Sequence, residues 1–213
     1  TISGMMGKGS VSHNTRTFSA KNVDKERSKY NVEFCHLDIK KVYHELFDEA
    51  LERYNAKQKR SDRKIDNYYE KVRQSKQEKL FHEVILQIGN KDDMNAKSEE
   101  GQLAKDILIQ FMEDFQKRNP NLYVFSAHLH MDEETPHIHI DFVPYIRNSE
   151  RGLDTRVSLK GALAEQGFKG GTRSATEWNQ WMESEKQELS KVAERYGVRW
   201  KQLGTHNKHL SVL

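Results

Sequence analysis

Four histidines fall within twelve residues near the middle of the chain: His128, His130, His137 and His139, with Asp132 and Glu133 between them. Side chains of an extended strand alternate between its faces. Over 137–145, His137, His139 and Asp141 therefore share one face, and Ile138, Ile140 and Phe142 the other. Over 122–131, Ser126, His128 and His130 share a face, opposite Phe125, Ala127, Leu129 and Met131. With the apolar sets on a core and the two strands paired as a hairpin, His130, His137 and His139 converge from neighbouring strands about 5 Å apart. Three neutral imidazoles suit a first-row divalent cation, and an incomplete ligand set leaves positions for water or substrate. Asp132 and Glu133 then sit in the turn, one to orient a ligand imidazole and the other to handle a proton. Thr135-Pro136 stiffens that turn. Scattered surface histidines are the bland alternative, but three at H-x6-H-x-H beside two carboxylates favour the metal site. His128 shares the parity one pair further away, as a neighbour of the ligands or a substrate contact.

The same residues carry a resemblance. His137-Ile138-His139 is similar to the His–hydrophobic–His pair of the HUH endonucleases. The stretch from His130 to His139 resembles the third motif, H-x-D-E-x-T-P-H-x-H, of the Mob/Pre (MobV-type) plasmid mobilisation relaxases. His13-Asn14-Thr15-Arg16 resembles that family's first motif, H-N-x-R, and Asn31-Val32-Glu33-Phe34 its second, with Val32 where the family often has Tyr. The resemblance runs from about residue 8 to the end. It implies a relaxase catalytic domain over 8–213, preceded at 1–7 by a tag remnant or disordered lead-in, and lacking the family's C-terminal coiled coil, through which a homodimer would form.

The resemblance implies an activity as well. Such an enzyme nicks one strand at the transfer origin of a plasmid or mobile element, stays attached to the 5′ phosphate, and later rejoins the ends. The cofactor is one divalent cation, Mn2+ before Mg2+, held by His130, His137 and His139 and clamping the scissile phosphate. The resemblance makes His13 the nucleophile, with Glu133 as proton acceptor and Arg16 as a bidentate phosphate anchor. On local pattern alone His13 is an ordinary histidine of a flexible segment. Tyr30, Tyr68 and Tyr69 are rival nucleophiles. A rolling-circle replication initiator or transposase of the same superfamily is the alternative enzyme, marked by a tyrosine on a downstream helix, where only Tyr196 stands. A non-catalytic DNA-binding module that keeps a structural metal would need none of His13, Arg16 and Glu133.

The partner implied is origin DNA, a hairpin or duplex continuing into a single strand. The net charge of +3 does not by itself point to nucleic acid. Its distribution says more: residues 1–30 carry six Lys/Arg against two Asp/Glu, and 57–79 nine against four, while 92–116 are acidic. Such segregation suits a polyanion-binding face, although a solvated helix face explains 57–79 equally well. Candidate phosphate contacts are Lys57, Lys59, Arg60, Arg63 and Lys64, with Arg151, Arg156, Lys169 and Arg173 in the glycine-containing loops. Trp178 and Trp181 offer stacking platforms, but their helical spacing favours the core.

The elements that must position these groups follow from periodicity. Alternation predicts strands over 29–35, 80–88, 122–131 and 137–145. Three- and four-residue apolar steps predict a helix from the Asp38 cap to about 56, a second carrying Ile65, Tyr68, Tyr69 and Val72, and a third from Ser98 through Phe115. A polar loop over 146–157, a short helix from Ser158 to about Glu165, a long helix over 176–196 and an extended end over 198–203 complete the chain. The fold expected is α+β: an antiparallel sheet carrying the histidines, helices mainly on one face, and a long C-terminal helix. With 213 residues, one domain is enough. Only 35% of residues are hydrophobic, so solvated helices must accompany the core. A single cysteine, Cys35, rules out an internal disulfide, and no apolar run reaches the ~18 residues of a membrane span. These features suit a reducing cytoplasm.

Overall fold

The computed structural model describes residues 1–18 and 20–201. The sheet strands are β1 (Ile2–Met6), β2 (Val32–His36), β3 (His82–Ile88), β4 (Leu122–His130) and β5 (His137–Ile146). They are antiparallel throughout, in the order β1-β3-β5-β4-β2, and a two-residue strand β6 (Arg156–Val157) pairs the far end of β5. The β4–β5 hairpin thus lies in the interior of the sheet, where both strands are paired on both sides.

The helices begin where side chains can satisfy their free amides. Asp38, Asn67, Ser98, Ser158 and Thr176 cap α2 (Ile39–Ala56), α3 (Tyr68–Arg73), α4 (Glu99–Glu113), α6 (Leu159–Glu165) and α7 (Glu177–Arg195). A short α5 (Phe115–Arg118) follows α4. One sheet face packs Leu86, Ile88, Leu129, Ile138 and Ile140 against Ile107, Leu108 and Phe111 of α4 and Trp181 and Leu189 of α7. On the opposite face Phe125 and Val143 pack against Val42, Tyr43 and Phe47 of α2. The histidines occupy the remaining end of that second face.

Five expectations are corrected here. Residues 1–7 are not a disordered lead-in: Ile2–Met6 is the edge strand beside β3, with Ile2 opposite Ile88 and Met6 opposite Val84. So short a strand is decided by the partner it finds. The 146–157 loop ends in β6, for the same reason. A bulge at 124–126 turns Phe125 to the α2 side, while Val124, Ala127, Leu129 and Met131 face the α4/α7 core. Residues 29 and 30 belong to a 3-10 turn over Ser28–Tyr30, Asn31 follows it, and the strand starts only at Val32. The described part of the 198–203 segment, Val198 to Lys201, forms no strand.

Candidate active site

The hairpin register sets His130 opposite His137 and His128 opposite His139. The rings of His130, His137 and His139 lie with centroids 4.7–5.3 Å apart. Each has one nitrogen engaged at its rear. His137 Nδ1 donates to the Thr135 carbonyl at 2.8 Å, His139 Nδ1 to Glu83 Oε1 at 2.6 Å, and His130 Nε2 to the Asn14 carbonyl at 2.9 Å. His130 Nδ1 and His139 Nε2 are left buried with no hydrogen-bond partner. Burial, reinforced by neighbouring imidazoles, pulls the His130 pKa far down, and burial brings that of His139 to about 4, so both rings are neutral. Neutral rings with orphaned inner nitrogens fit a divalent cation.

The ligand atoms do not form one tight trio of the three histidines. They fall into two overlapping sets that share His130: His13, His130 and His139, and His130, Glu133 and His137, each within 4.8 Å. His13 has thus come into the cluster from a distant segment. It sits on α1 (Val11–Asn14), a four-residue helix with no side-chain cap that periodicity does not reveal. Its ring lies 5.7 Å from those of His130 and His139.

Arg16 follows α1 with φ +59°, a left-handed conformation unusual for a side-chain-bearing residue. That turn folds its guanidinium back onto the cluster. Nε donates to Asp132 Oδ2 at 2.9 Å, and Nη2 donates to Glu133 Oε1 at 2.7 Å and to Asp132 Oδ1. Burial opposes the Arg16 charge, yet these two carboxylates raise its pKa. Burial likewise works against Glu133, but His13, His137 and Arg16 together hold it far below the usual carboxylate range.

Asp132 is fully buried and also accepts from Ser28 Oγ and Asn31 Nδ2, each at 2.7 Å. It anchors Arg16 rather than a ligand imidazole, which replaces the role expected of it. Asn31, in the stretch matching the second motif, returns its Oδ1 to the Met131 amide at 2.7 Å. His128 stays apart, 3.2 Å from Ser126 Oγ and 3.8 Å from Glu33.

Glu83 and Asn14 are the site residues that the sequence reading missed. Glu83 stands on β3 opposite Asp141 and is 3% exposed; Asn14 is 2% exposed. Asp141, buried next to the Glu83 charge, has its pKa pushed up to about 7. A lone buried glutamate in an apolar strand was the available signal for Glu83.

The other candidates lie elsewhere. Lys57, Lys59, Arg60, Arg63 and Lys64 are exposed around the end of α2, and Arg60 chelates Asp62. Arg151, Lys169 and Arg173 are exposed, and Arg156 is half-buried against Ser149. Among the described residues, none of these bonds to the histidine cluster. Trp181 is core, donating to Asn119 Oδ1 at 2.7 Å, and Trp178 packs on it. Tyr68 and Tyr69 belong to an aromatic cluster with Tyr43, where the Tyr68 hydroxyl accepts from Val157 N. Tyr30 is 46% exposed between Arg27 and Lys29.

The profile of the family Mob_Pre, described as plasmid recombination enzyme, matches residues 20–191. Solved structures of the MobM relaxase domain (MOBV; Mob_Pre) are similar in fold. One, bound to a 22-nucleotide oriT DNA of plasmid pMV158 with Mn at pH 5.5, is 21% identical over 99% of this chain and 95% of that one, with TM-score 0.53. Another, at pH 4.6, is 22% identical over 99% and 96%, with TM-score 0.51. No sequence among curated proteins matches. No helix of the described residues is long and apolar enough to cross a membrane.

Proposed function

The chain belongs to the Mob_Pre family of plasmid recombination enzymes, and on that premise we propose that it is a metal-dependent relaxase. It nicks one strand at a transfer origin, keeps the 5′ end covalently, and rejoins the strand. The observation that carries the assignment of roles is the meeting of His13 with His130 and His139, ring centroids 5.7 Å apart, beside Glu133 and Arg16.

His130, His137 and His139, with Glu133 alongside, would hold one Mn2+ or similar divalent cation. Bound there, the cation supplies Lewis-acid stabilisation of the charge that builds on the scissile phosphate. The chain's own residues do the rest. A neutral His13 ring nitrogen attacks phosphorus in line, forming an N–P bond as the P–O3′ bond breaks. The attacking imidazole passes its remaining proton to Glu133, from which it is delivered to the departing 3′ oxygen. Arg16, locked by Asp132 and donating from Nη1 to the His13 carbonyl at 3.1 Å, would give its remaining Nη1 proton to a phosphate oxygen. Because the phosphoramidate retains the energy of the phosphodiester, resealing is the reverse transfer to the 3′ hydroxyl and requires no nucleotide cofactor.

Origin DNA is the macromolecular partner, and the exposed cations of 57–64 together with Arg151, Arg156, Lys169 and Arg173 are its proposed backbone contacts. The cytoplasm, where plasmid DNA resides, is the proposed site of action. The test is incubation with Mn2+ and a single-stranded oligonucleotide carrying the transfer origin of the encoding element. A protein–DNA adduct on a denaturing gel is expected. Binding without any adduct would instead make the chain a DNA-binding module.

A further inference from the structure

We propose that Glu83 and Asn14 form a buried clamp that sets the nucleophile helix α1 against the metal ligands. The inference rests on the relaxase reading and adds to it two positioning residues.

Local bonds, such as Thr15 Oγ1 to the Val11 carbonyl at 2.9 Å, close the α1 turn but do not place it against the sheet. Four residues are too few for a stable helix, and its Ser10 cap makes no side-chain hydrogen bond. Beyond the tie of Arg16 to Asp132 and Glu133, the attachments come from Glu83 and Asn14. Glu83 Oε1 accepts from His139 Nδ1 at 2.6 Å and from Asn14 Nδ2 at 2.8 Å, while Oε2 accepts from the Gly9 amide at 2.7 Å. Asn14 Nδ2 also donates to Asp141 Oδ2 at 2.9 Å, and the Asn14 carbonyl accepts from His130 Nε2 at 2.9 Å. One carboxylate thus touches a metal ligand, the helix and the segment leading into it. One asparagine touches the carboxylate and a second metal ligand.

The glycines before α1 fit this design. A Cβ on Gly7 would collide with the Glu83 carboxylate, and Gly9 has φ +75°. The backbone can therefore wrap the carboxylate closely only without side chains there. A buried carboxylate is costly unless its lone pairs are used, and here each oxygen accepts at least once.

The clamp acts on both halves of the site. Accepting from Nδ1 fixes the His139 tautomer, raises ring basicity and leaves Nε2 for the cation. Holding Asn14 and Gly9 fixes the residue beside His13 and the approach to it. A misplacement of the nucleophile by about 1 Å can cost on the order of 100-fold in rate.

The test uses Glu83→Gln and Asn14→Ala in the full chain, with circular dichroism and thermal melts as folding controls. Mn2+ affinity is read without DNA from the free-Mn2+ EPR signal. Glu83→Gln is expected to weaken Mn2+ binding by about 10–100-fold, and its adduct formation should stay at least about 10-fold slow even at saturating Mn2+. Asn14→Ala keeps the backbone carbonyl on His130, so its Mn2+ affinity should stay near the parent's while adduct formation falls by a similar factor. Parent-like Mn2+ affinity in Glu83→Gln, full rescue of its rate by Mn2+, or a parent-like rate in Asn14→Ala would each overturn the clamp. Should Glu83→Gln not fold, Asn14→Ala decides alone. A parent that forms no adduct would fail the relaxase reading instead, while the EPR comparison still tests the hold of Glu83 on His139.

Discussion

His13 Nε2 stands 3.5 Å from Glu133 Oε1, on the same oxygen that accepts from Arg16. The carboxylate and Arg16 Nη1, itself 3.2 Å from the same ring nitrogen, therefore both flank the candidate nucleophile, and the carboxylate also lies within ligand distance of His130 and His137. Changing Glu133 to Gln keeps the shape and removes the charge. Adduct formation should fall by about 100-fold or more, with origin-DNA affinity nearly unchanged. Single-turnover gels at saturating Mn2+ measure this; a parent-like rate there would reduce Glu133 to a metal neighbour.

His137→Ala and His139→Ala should each abolish cleavage while leaving the far-ultraviolet dichroism intact, since both side chains point to the site rather than the apolar core. Chelation of the parent with EDTA should do the same, and added Mn2+ should restore it. Full cleavage in chelator would remove the cation from the mechanism.

If His13 attacks phosphorus, the adduct is a P–N bond, which hydrolyses in mild acid and survives alkali. His13→Ala should bind origin DNA as the parent does and form no adduct. The parent adduct should disappear after brief acid treatment. An acid-stable adduct, mapped by peptide mass spectrometry to Tyr30, Tyr68 or Tyr69, would displace His13.

Affinity for origin DNA should fall steeply with salt, because phosphate contacts release counterions. Arg60→Glu combined with Arg63→Glu should lower the affinity and flatten that slope. Arg60 already spends its fork on Asp62, so Arg63→Glu alone is expected to carry most of the effect. Unchanged slope and affinity would make 57–64 a solvated surface only.

His82 on β3 has its pKa lowered to about 4 by burial and the nearby Lys79. A base shifted down in the folded state stabilises the fold above its unfolded pKa of about 6.5, and that contribution is lost as pH falls towards 4. His82→Gln should therefore shallow the acid limb of stability, by at most about 3 kcal/mol between pH 7 and 4.5. Urea unfolding at both pH values tests this; an acid limb identical to the parent's would show that His82 titrates normally.

The metal cluster was legible because strand parity is a local property. His130, His137 and His139 are aligned by alternation and a short turn, and the register obeys both. Parity failed at Phe125, where a bulge inserts one residue. It was silent on α1, whose position depends on Glu83, Asp141 and Asp132, met by Asn14 and Arg16, rather than on a helical period. The motif resemblance, not periodicity, brought His13 and Arg16 forward. Sequence proximity places Asp132 beside the histidines and hides its contact with Arg16, 116 residues earlier.

The attachments of α1 also decide when the enzyme becomes competent. Asn14 reaches partners 69, 116 and 127 residues further along the chain. Loop closure over such distances is paid only as β3 and β5 come together. The nucleophile, although synthesised early, is thus set in place in the last stage of folding, and a nascent chain still lacking β5 carries His13 without a site. Any opening of the same segment with the sheet still closed would be a local event, separate from unfolding. Amide exchange at Gly9, which donates to the Glu83 carboxylate at 2.7 Å, would then report how often the active site comes apart without unfolding.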